Sequence, residues 1–234
     1  MSRRAIILAG GLGTRLRPFT LTIPKPLVPI GTRPVLDIVI QQLAAAGFEH
    51  ITLAISSHTR LIRAFFGSGE DWNVKIDYSF EDRPLSTMGP LRLIPDLPEN
   101  FLVMNGDILT DLAFGEFHRR HADAGRLFTI ASHRRQQTID YGVLHTHDGV
   151  LVGFEEKPIV PFEVSMGVYM LNRRAVSFIP KGVSFGFDDL MRLLIAKNES
   201  VHVETHDGYW KDIGRPDDYE SAVADDEAMP KRFF

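Results

Sequence analysis

The sequence predicts an α/β fold: a mostly parallel central sheet with helices on both faces and a small antiparallel excursion. Three observations predict it. The apolar run Ala5-Ile6-Ile7-Leu8 ends in a turn with three glycines and cations beyond it, as a buried strand feeding a ligand loop does. Strand-like and helix-like segments then alternate through the first half of the chain. Further on, Tyr141–His145 and Val150–Phe154 flank Asp148-Gly149 in the pattern of a hairpin.

The elements follow in order. Pro34 to Ala46 reads as a helix, with proline near its first turn, Leu36, Val39, Ile40 and Leu43 at helical spacing, and Gly47 beyond its end. Ile51–Ile55 is a second strand. Ser57-His58 is placed to cap a helix running to about Phe66, and Val74–Phe80 alternates as a third strand. Phe101–Met104 is an apolar strand carrying Asn105-Gly106-Asp107 at its end. A helix over Phe114–Ala124, strands over Leu127–Ala131 and Val164–Leu171, a helix over Phe185–Lys197 and a strand over Ser200–Thr205 complete the pattern.

The opening loop carries the first chemical signal. Gly10, Gly11 and Gly13 let backbone N–H groups approach an anion closely, because no side chain stands in the way. Arg15 can hold phosphate oxygens through two parallel hydrogen bonds, and Lys25 supplies a mobile point charge. Two familiar phosphate loops are excluded. A Walker loop ends in Gly-Lys-Ser/Thr, whereas Gly13 is followed by Thr14-Arg15. The dinucleotide fingerprint needs glycine where Leu16 stands, which also weakens a dehydrogenase reading. A structural glycine-rich strand-to-helix turn is the alternative for these residues alone.

Composition bounds the rest. A chain of 234 residues, 44% apolar and 24% charged, is that of an ordinary globular protein. We expect one domain over 1–234, in two halves, about 1–110 and about 111–220. The net charge of -4 gives no general attraction to nucleic acid or an anionic membrane, so phosphate binding has to be local. Cysteine is absent, which fits a reducing compartment. The N-terminal apolar run is too short for a signal peptide or a membrane span, and the expected location is cytoplasmic. With no cysteine and no histidine cluster, structural zinc is not expected. His118 and His121, a helix-spaced pair, are assigned to surface or packing.

Leu8-Ala9-Gly10-Gly11-Leu12-Gly13-Thr14-Arg15-Leu16-Arg17-Pro18 with Pro24-Lys25-Pro26 closely resembles the signature of the sugar-1-phosphate nucleotidyltransferases. Asn105-Gly106-Asp107, Tyr141-Gly142-Val143, Phe154-Glu155-Glu156-Lys157-Pro158, Gly167-Val168-Tyr169 and Trp210-Lys211-Asp212-Ile213-Gly214 are similar to the family's later blocks, in its order. The resemblance covers Ala5 to about Tyr219. It implies a Rossmann-like fold and a reaction in which a sugar 1-phosphate attacks the α-phosphorus of a nucleoside triphosphate. The products are a nucleoside diphosphate sugar and pyrophosphate.

What the resemblance implies for individual residues is specific. Leu8, Ala9, Gly10, Gly11, Gly13, Thr14 and Arg15 bind the nucleotide, with Glu81, Thr87 and Gly89 from a base-binding loop. Arg15, Lys25 and Asp107 are catalytic. Gly142, Glu156, Lys157, Ser165 and Gly167 receive the sugar phosphate. Asp107 and Asp212 hold magnesium, provided that the two strand ends lie side by side; that ion prefers oxygen ligands and takes one or two carboxylates plus substrate phosphates. The chain departs from the family pattern at Ser86, Met88, Ser165 and Met166, where glycine, alanine or glycine, asparagine and alanine are usual. Tyr169 and Trp210 read as packing residues or as platforms for a sugar face.

A carboxylate at Glu81 matches the N1 and N2 donors of guanine, and a thymine edge offers that pairing only in part. Compact length and the Glu-x-x-Pro-Leu-x-Thr loop most resemble the mannose- or manno-heptose-1-phosphate guanylyltransferases of surface polysaccharide synthesis, without a C-terminal appended domain, and a homodimer is one expected assembly. The alternative enzyme is a thymidylyl- or uridylyltransferase acting on glucose 1-phosphate. A non-catalytic nucleotide-sugar sensor would be expected to lack the metal aspartates or the loop arginine, yet Arg15, Lys25, Asp107, Lys157 and Asp212 are all present.

Overall fold

The computed structural model describes residues 3–11, 13–56 and 60–228. Strand β1 (Arg3–Leu8) is followed by three short 3-10 turns, Thr14–Leu16, Phe19–Leu21 and Lys25–Leu27, and by the small hairpin β2 (Pro29–Ile30) and β3 (Arg33–Pro34). Then come α1 (Val35–Ala45), β4 (Phe48–Ser56), α2 (Arg60–Phe66), β5 (Lys75–Glu81), β6 (Asn100–Asn105), β7 (Ile108–Thr110), α3 (Phe114–Asp123) and β8 (Phe128–Thr138). The last part holds β9 (Gly142–His147), β10 (Val150–Glu156), β11 (Ile159–Asn172), α4 (Phe187–Ala196), β12 (Val201–Thr205), β13 (Trp210–Asp212) and α5 (Pro216–Ala228).

Seven strands form the central sheet in the order β12-β8-β11-β6-β1-β4-β5. Strand β11 runs antiparallel to both of its neighbours, and every other pairing is parallel. Alternate residues of one strand face opposite layers. Ile7, Leu53 and Met104 pack with Val35, Leu36 and Val39 of α1 and Phe117 of α3. Ile6, Val103 and Tyr169 pack on the other side with Leu190 and Leu194 of α4. Burying each of the larger aliphatic side chains contributes about 1.5–3 kcal/mol, which makes these two layers the main source of stability. Among the described residues no helix is long and apolar enough to cross a membrane.

The expected elements are present, with shifted limits. Gly47, at φ +81°, follows the end of α1 in the left-handed conformation that glycine adopts most cheaply. The helix expected from Phe185 begins at Phe187, because the Gly186 N–H donates to Asp189 and the Phe187 N–H donates to the Thr87 hydroxyl at 2.8 Å. Strands β8 and β11 are longer than the apolar runs that announced them. Beyond the core they continue as an antiparallel arm, Ser132↔Ser165 to Thr138↔Ile159, whose exposed residues need no apolar pattern. The cap expected at Ser57-His58 lies outside the described residues. Strands β7 and β13 and helix α5 were not expected.

Candidate active site

Parallel strands β1, β4, β5 and β6 end side by side, and a cavity of about 480 Å³ opens at their carboxyl ends. Leu8, Ala9, Gly10 and Gly11 line one wall, Ser56 and Glu81 another, and Lys25, Asn105 and Asp107 the floor. Gly10 is required by close approach: a β-carbon there would fall 2.5 Å from Glu81 Oε1. Gly13 has φ +60°, and its β-carbon would meet that of Lys25 at 2.9 Å, so this glycine lets the Thr14–Leu16 turn seat the Pro24-Lys25-Pro26 segment. Thr14 is exposed and does not line this cavity.

Lys25 is nearly buried, its ammonium bonded to Asp107 Oδ2 and 3.9 Å from Asp212 Oδ1. The two aspartates meet because β13 pairs antiparallel with β7, Asp212 opposite Ile108, while the Ile213 N–H donates to the Asp107 carbonyl at 2.9 Å. Side by side is the condition that the sequence set for a shared metal. Asp107 thus pairs with the Lys25 ammonium. Burial, and then the neighbouring Asp107 carboxylate, push the Asp212 carboxyl above the usual aspartate range, against the opposing pull of Lys25 and Arg15.

Asp107 Oδ1 and Asp212 Oδ1 are buried and have no hydrogen-bond partner among the described residues. Such orphaned acceptors are costly unless something binds them. Two carboxylates with free oxygens suit magnesium, whose remaining ligands would be phosphate oxygens and water. No group of three or more acidic, histidine or cysteine side chains close enough to hold a metal occurs among the described residues.

Arg15 turns away from the first cavity. It lines a second one, of about 440 Å³, with Arg135, Trp210, Lys211, Asp212 and Arg215. The Arg135 guanidinium lies over the Trp210 ring, 5.5 Å from its centre, and Trp210 Nε1 donates to the Met166 carbonyl at 2.9 Å. Trp210 is therefore half packing and half cavity wall. The Lys25–Asp107–Asp212 cluster stands where the two cavities adjoin.

The loop after β5 is held by its own contacts. The Leu85 N–H donates to Glu81 Oε2 at 3.1 Å, and burial raises the pKa of that carboxyl. Thr87 lines the cavity, but its hydroxyl caps α4. Gly89 is buried and does not line the first cavity, and a β-carbon there would fall 2.9 Å from that of Leu85. Met88 and Met166 are fully buried in the two core layers, so both departures from the family pattern are absorbed by packing. Ser86 adopts φ +63°, a conformation that explains the glycine usual there.

The five sugar-phosphate candidates line neither cavity. Gly142 and Glu156 face each other across the β9–β10 hairpin, both exposed. Lys157 is exposed and paired with Asp140 at 2.8 Å. The Ser165 hydroxyl is 3.1 Å from the Tyr169 hydroxyl and accepts the Gly167 N–H, and Gly167, at φ +73°, abuts Asn105. Tyr169 is buried against Phe128 and Phe187, as a packing residue. Sequence reasoning gave no role to Arg83, which lies inside the Glu-x-x-Pro-Leu-x-Thr loop, or to Arg135 and Arg215, though all three line the cavities.

Glycine backbone, a nearly buried lysine and two adjacent aspartates meet beside the carboxyl ends of the parallel strands. A family model for Nucleotidyl transferase matches residues 4–229, and the chain belongs to that family. It is 36% identical over 233 residues to a mannose-1-phosphate guanyltransferase of Aspergillus oryzae and 35% identical to that of Candida albicans, covering 94% of this chain in each case. The chain spans 63% of the length of these curated relatives. Among solved structures, HddC from Yersinia pseudotuberculosis superposes with a TM-score of 0.74 at 28% identity, over 95% of this chain and 99% of that one. The same protein complexed with GMP-PN gives 0.72 at 27% identity, with the same coverage. A Bacillus anthracis structure described as a putative glucose-1-phosphate thymidylyltransferase gives a TM-score of 0.79 over 99% of both chains at 20% identity, a likeness of fold.

Proposed function

We propose that this protein transfers a nucleoside monophosphate from a nucleoside triphosphate, GTP, to a sugar 1-phosphate of the mannose or manno-heptose type. A phosphate oxygen of the sugar attacks the α-phosphorus, the bond from that phosphorus to the bridging oxygen breaks, and pyrophosphate leaves. The observation that carries this reading is Lys25, bonded to Asp107 and close to Asp212, at the junction of two cavities. Each cavity would bring one polyanion to that cluster, and charge building on the leaving group would meet a positioned ammonium.

In this reading the Gly10 and Gly11 backbone faces the triphosphate, Glu81 accepts from the base, and Arg15 holds the departing phosphates. Magnesium held by Asp107 and Asp212 would neutralise phosphate oxygens and orient the attack. Lys157 serves the sugar phosphate. The choice of GTP and a manno sugar is supported by the mannose-1-phosphate guanyltransferases among the relatives and by the GMP-PN complex of a structural neighbour. The nucleotide half, about 1–110, and the sugar half, about 111–220, act as one domain.

A homodimer would form through the β9–β10 hairpin, where Leu144, Leu151, Val152 and Phe154 are all more than half exposed. A two-stranded ribbon bare on both faces is marginal alone. Light scattering tests the dimer.

The experiment for the activity is pyrophosphate release with magnesium from each of GTP, TTP, UTP, CTP and ATP, against mannose, manno-heptose and glucose 1-phosphates. Turnover confined to GTP with a manno sugar supports the whole reading. Preference for TTP or UTP removes the base assignment, and release from no pair removes the activity.

A further inference from the structure

The loop after β5 carries a cation into the first cavity. Because Glu81 Oε2 accepts the Leu85 N–H, residues 82–84 arch over the carboxylate that closes the strand. Arg83 stands at the middle of that arch, exposed, and lines the same cavity as Glu81. Its Nη2 donates to the carbonyl of Gly182, where φ is +68° and a β-carbon would lie 3.4 Å from that nitrogen. This is the one bond Arg83 makes among the described residues, which leaves most of its five N–H donors for a ligand.

We propose that Arg83 is a second base-reading residue, donating to O6 and N7 of guanine while Glu81 accepts from N1 and N2. The inference rests on the GTP reading above and deepens it. Guanine presents two acceptors on one edge and two donors on the next, and a carboxylate answers only the donors. A guanidinium is the planar fork that matches O6 and N7 together. The same fork opposes adenine, which places an amino group where guanine has O6, and a pyrimidine has no N7 to offer. The tether to Gly182 holds the side chain across the cavity wall, so less freedom is lost when a base arrives.

The test is calorimetric binding of GTP, 7-deaza-GTP, ATP, TTP and UTP, each with magnesium, to the full chain and to Arg83→Ala and Arg83→Gln. Arg83 is exposed, and the glutamine keeps a donor for the Gly182 carbonyl, so both variants are expected to fold. The unaltered protein should bind GTP about tenfold more tightly than 7-deaza-GTP, the worth of one hydrogen bond from a charged donor. Both variants should lose about tenfold or more in GTP affinity and bind GTP and 7-deaza-GTP equally well. A variant that keeps the gap, or an unaltered protein that shows none, overturns the role of Arg83 while leaving the GTP reading intact. TTP or UTP as the tightest ligand overturns the GTP reading and this inference with it.

Discussion

The Glu81 carboxylate occupies the space that a side chain on Gly10 would need: a β-carbon there would lie 2.5 Å from its Oε1. The clash is with the end of a flexible side chain, so Gly10→Ala is expected to fold, losing about 1 kcal/mol, while Glu81 is driven off its position. The expected outcome is a KM for GTP raised about tenfold or more with the KM for the sugar phosphate little changed. Steady-state kinetics with one substrate varied at a time, beside a thermal melt, check it. Equal effects on both substrates would show that Glu81 does not serve the nucleotide alone.

Asp107 and Asp212 each leave one buried oxygen without a hydrogen-bond partner. Ions that bind only the native state raise the melting temperature. Magnesium should therefore stabilise the unaltered protein and should not stabilise Asp107→Asn or Asp212→Asn. In metal-free buffer Asp212→Asn is expected to melt no lower than the parent, because one of two adjacent carboxylates has lost its charge. Differential scanning fluorimetry with and without magnesium reads both effects.

His121 is buried on α3, its Nδ1 2.8 Å from the Thr129 hydroxyl, and burial lowers its pKa to about 4 from 6.5. The native state thus binds fewer protons than the unfolded chain between these values. Stability from this group is present above pH 6.5 and declines as the pH falls to about 4, by on the order of 3 kcal/mol in all. Urea unfolding across this window should show the slope, and His121→Leu should flatten it.

Ser86 stands at φ +63° on the cavity wall. The left-handed conformation costs a serine about 1–2 kcal/mol, and glycine escapes that cost while making the unfolded chain looser by up to about 1 kcal/mol. The first term is the larger, so Ser86→Gly should raise the melting temperature. A lower melting temperature would mean that the serine hydroxyl has a stabilising partner.

Lys157 and Arg135 offer alternative seats for the sugar phosphate. Lys157→Ala should raise the KM for the sugar phosphate and leave that for GTP in place, whereas Arg15→Ala should mainly harm GTP use. If Lys157→Ala has no effect and Arg135→Ala raises the sugar-phosphate KM, the phosphate binds in the second cavity beside Trp210.

The central sheet was legible because its strands are apolar runs bounded by glycine, proline or acidic turns, as at Ile6–Gly10 and Phe101–Gly106. Helix α1 declared itself through spacing and punctuation. Strand β13 did not, because Trp210-Lys211-Asp212 is too short to alternate and owes its form to pairing with β7. The acid-rich α5 buries little besides Ala222 and gives no apolar stripe to read. At the site, the glycines and Lys25 were readable from local chemistry, and Asp107 and Asp212 from resemblance. Arg83 and Arg135 carried no signal, since an arginine in a loop or on an exposed arm resembles any solvated surface cation. The spread of the sugar-side candidates has a similar cause: five residues share a motif order, but the hairpin carrying Gly142 and Glu156 stands exposed along most of its length.

Strand β13 also sets a timetable. Asp107 follows the strand next to β1, and its carboxylate partner arrives only with a three-residue strand near the far end of the chain. A ribosome would release every residue of the first cavity well before Asp212 emerged. A nascent chain could then fold around a nucleotide without being able to complete the carboxylate pair. Reactivity would begin with the docking of the final segment, and capacity to bind would precede capacity to react.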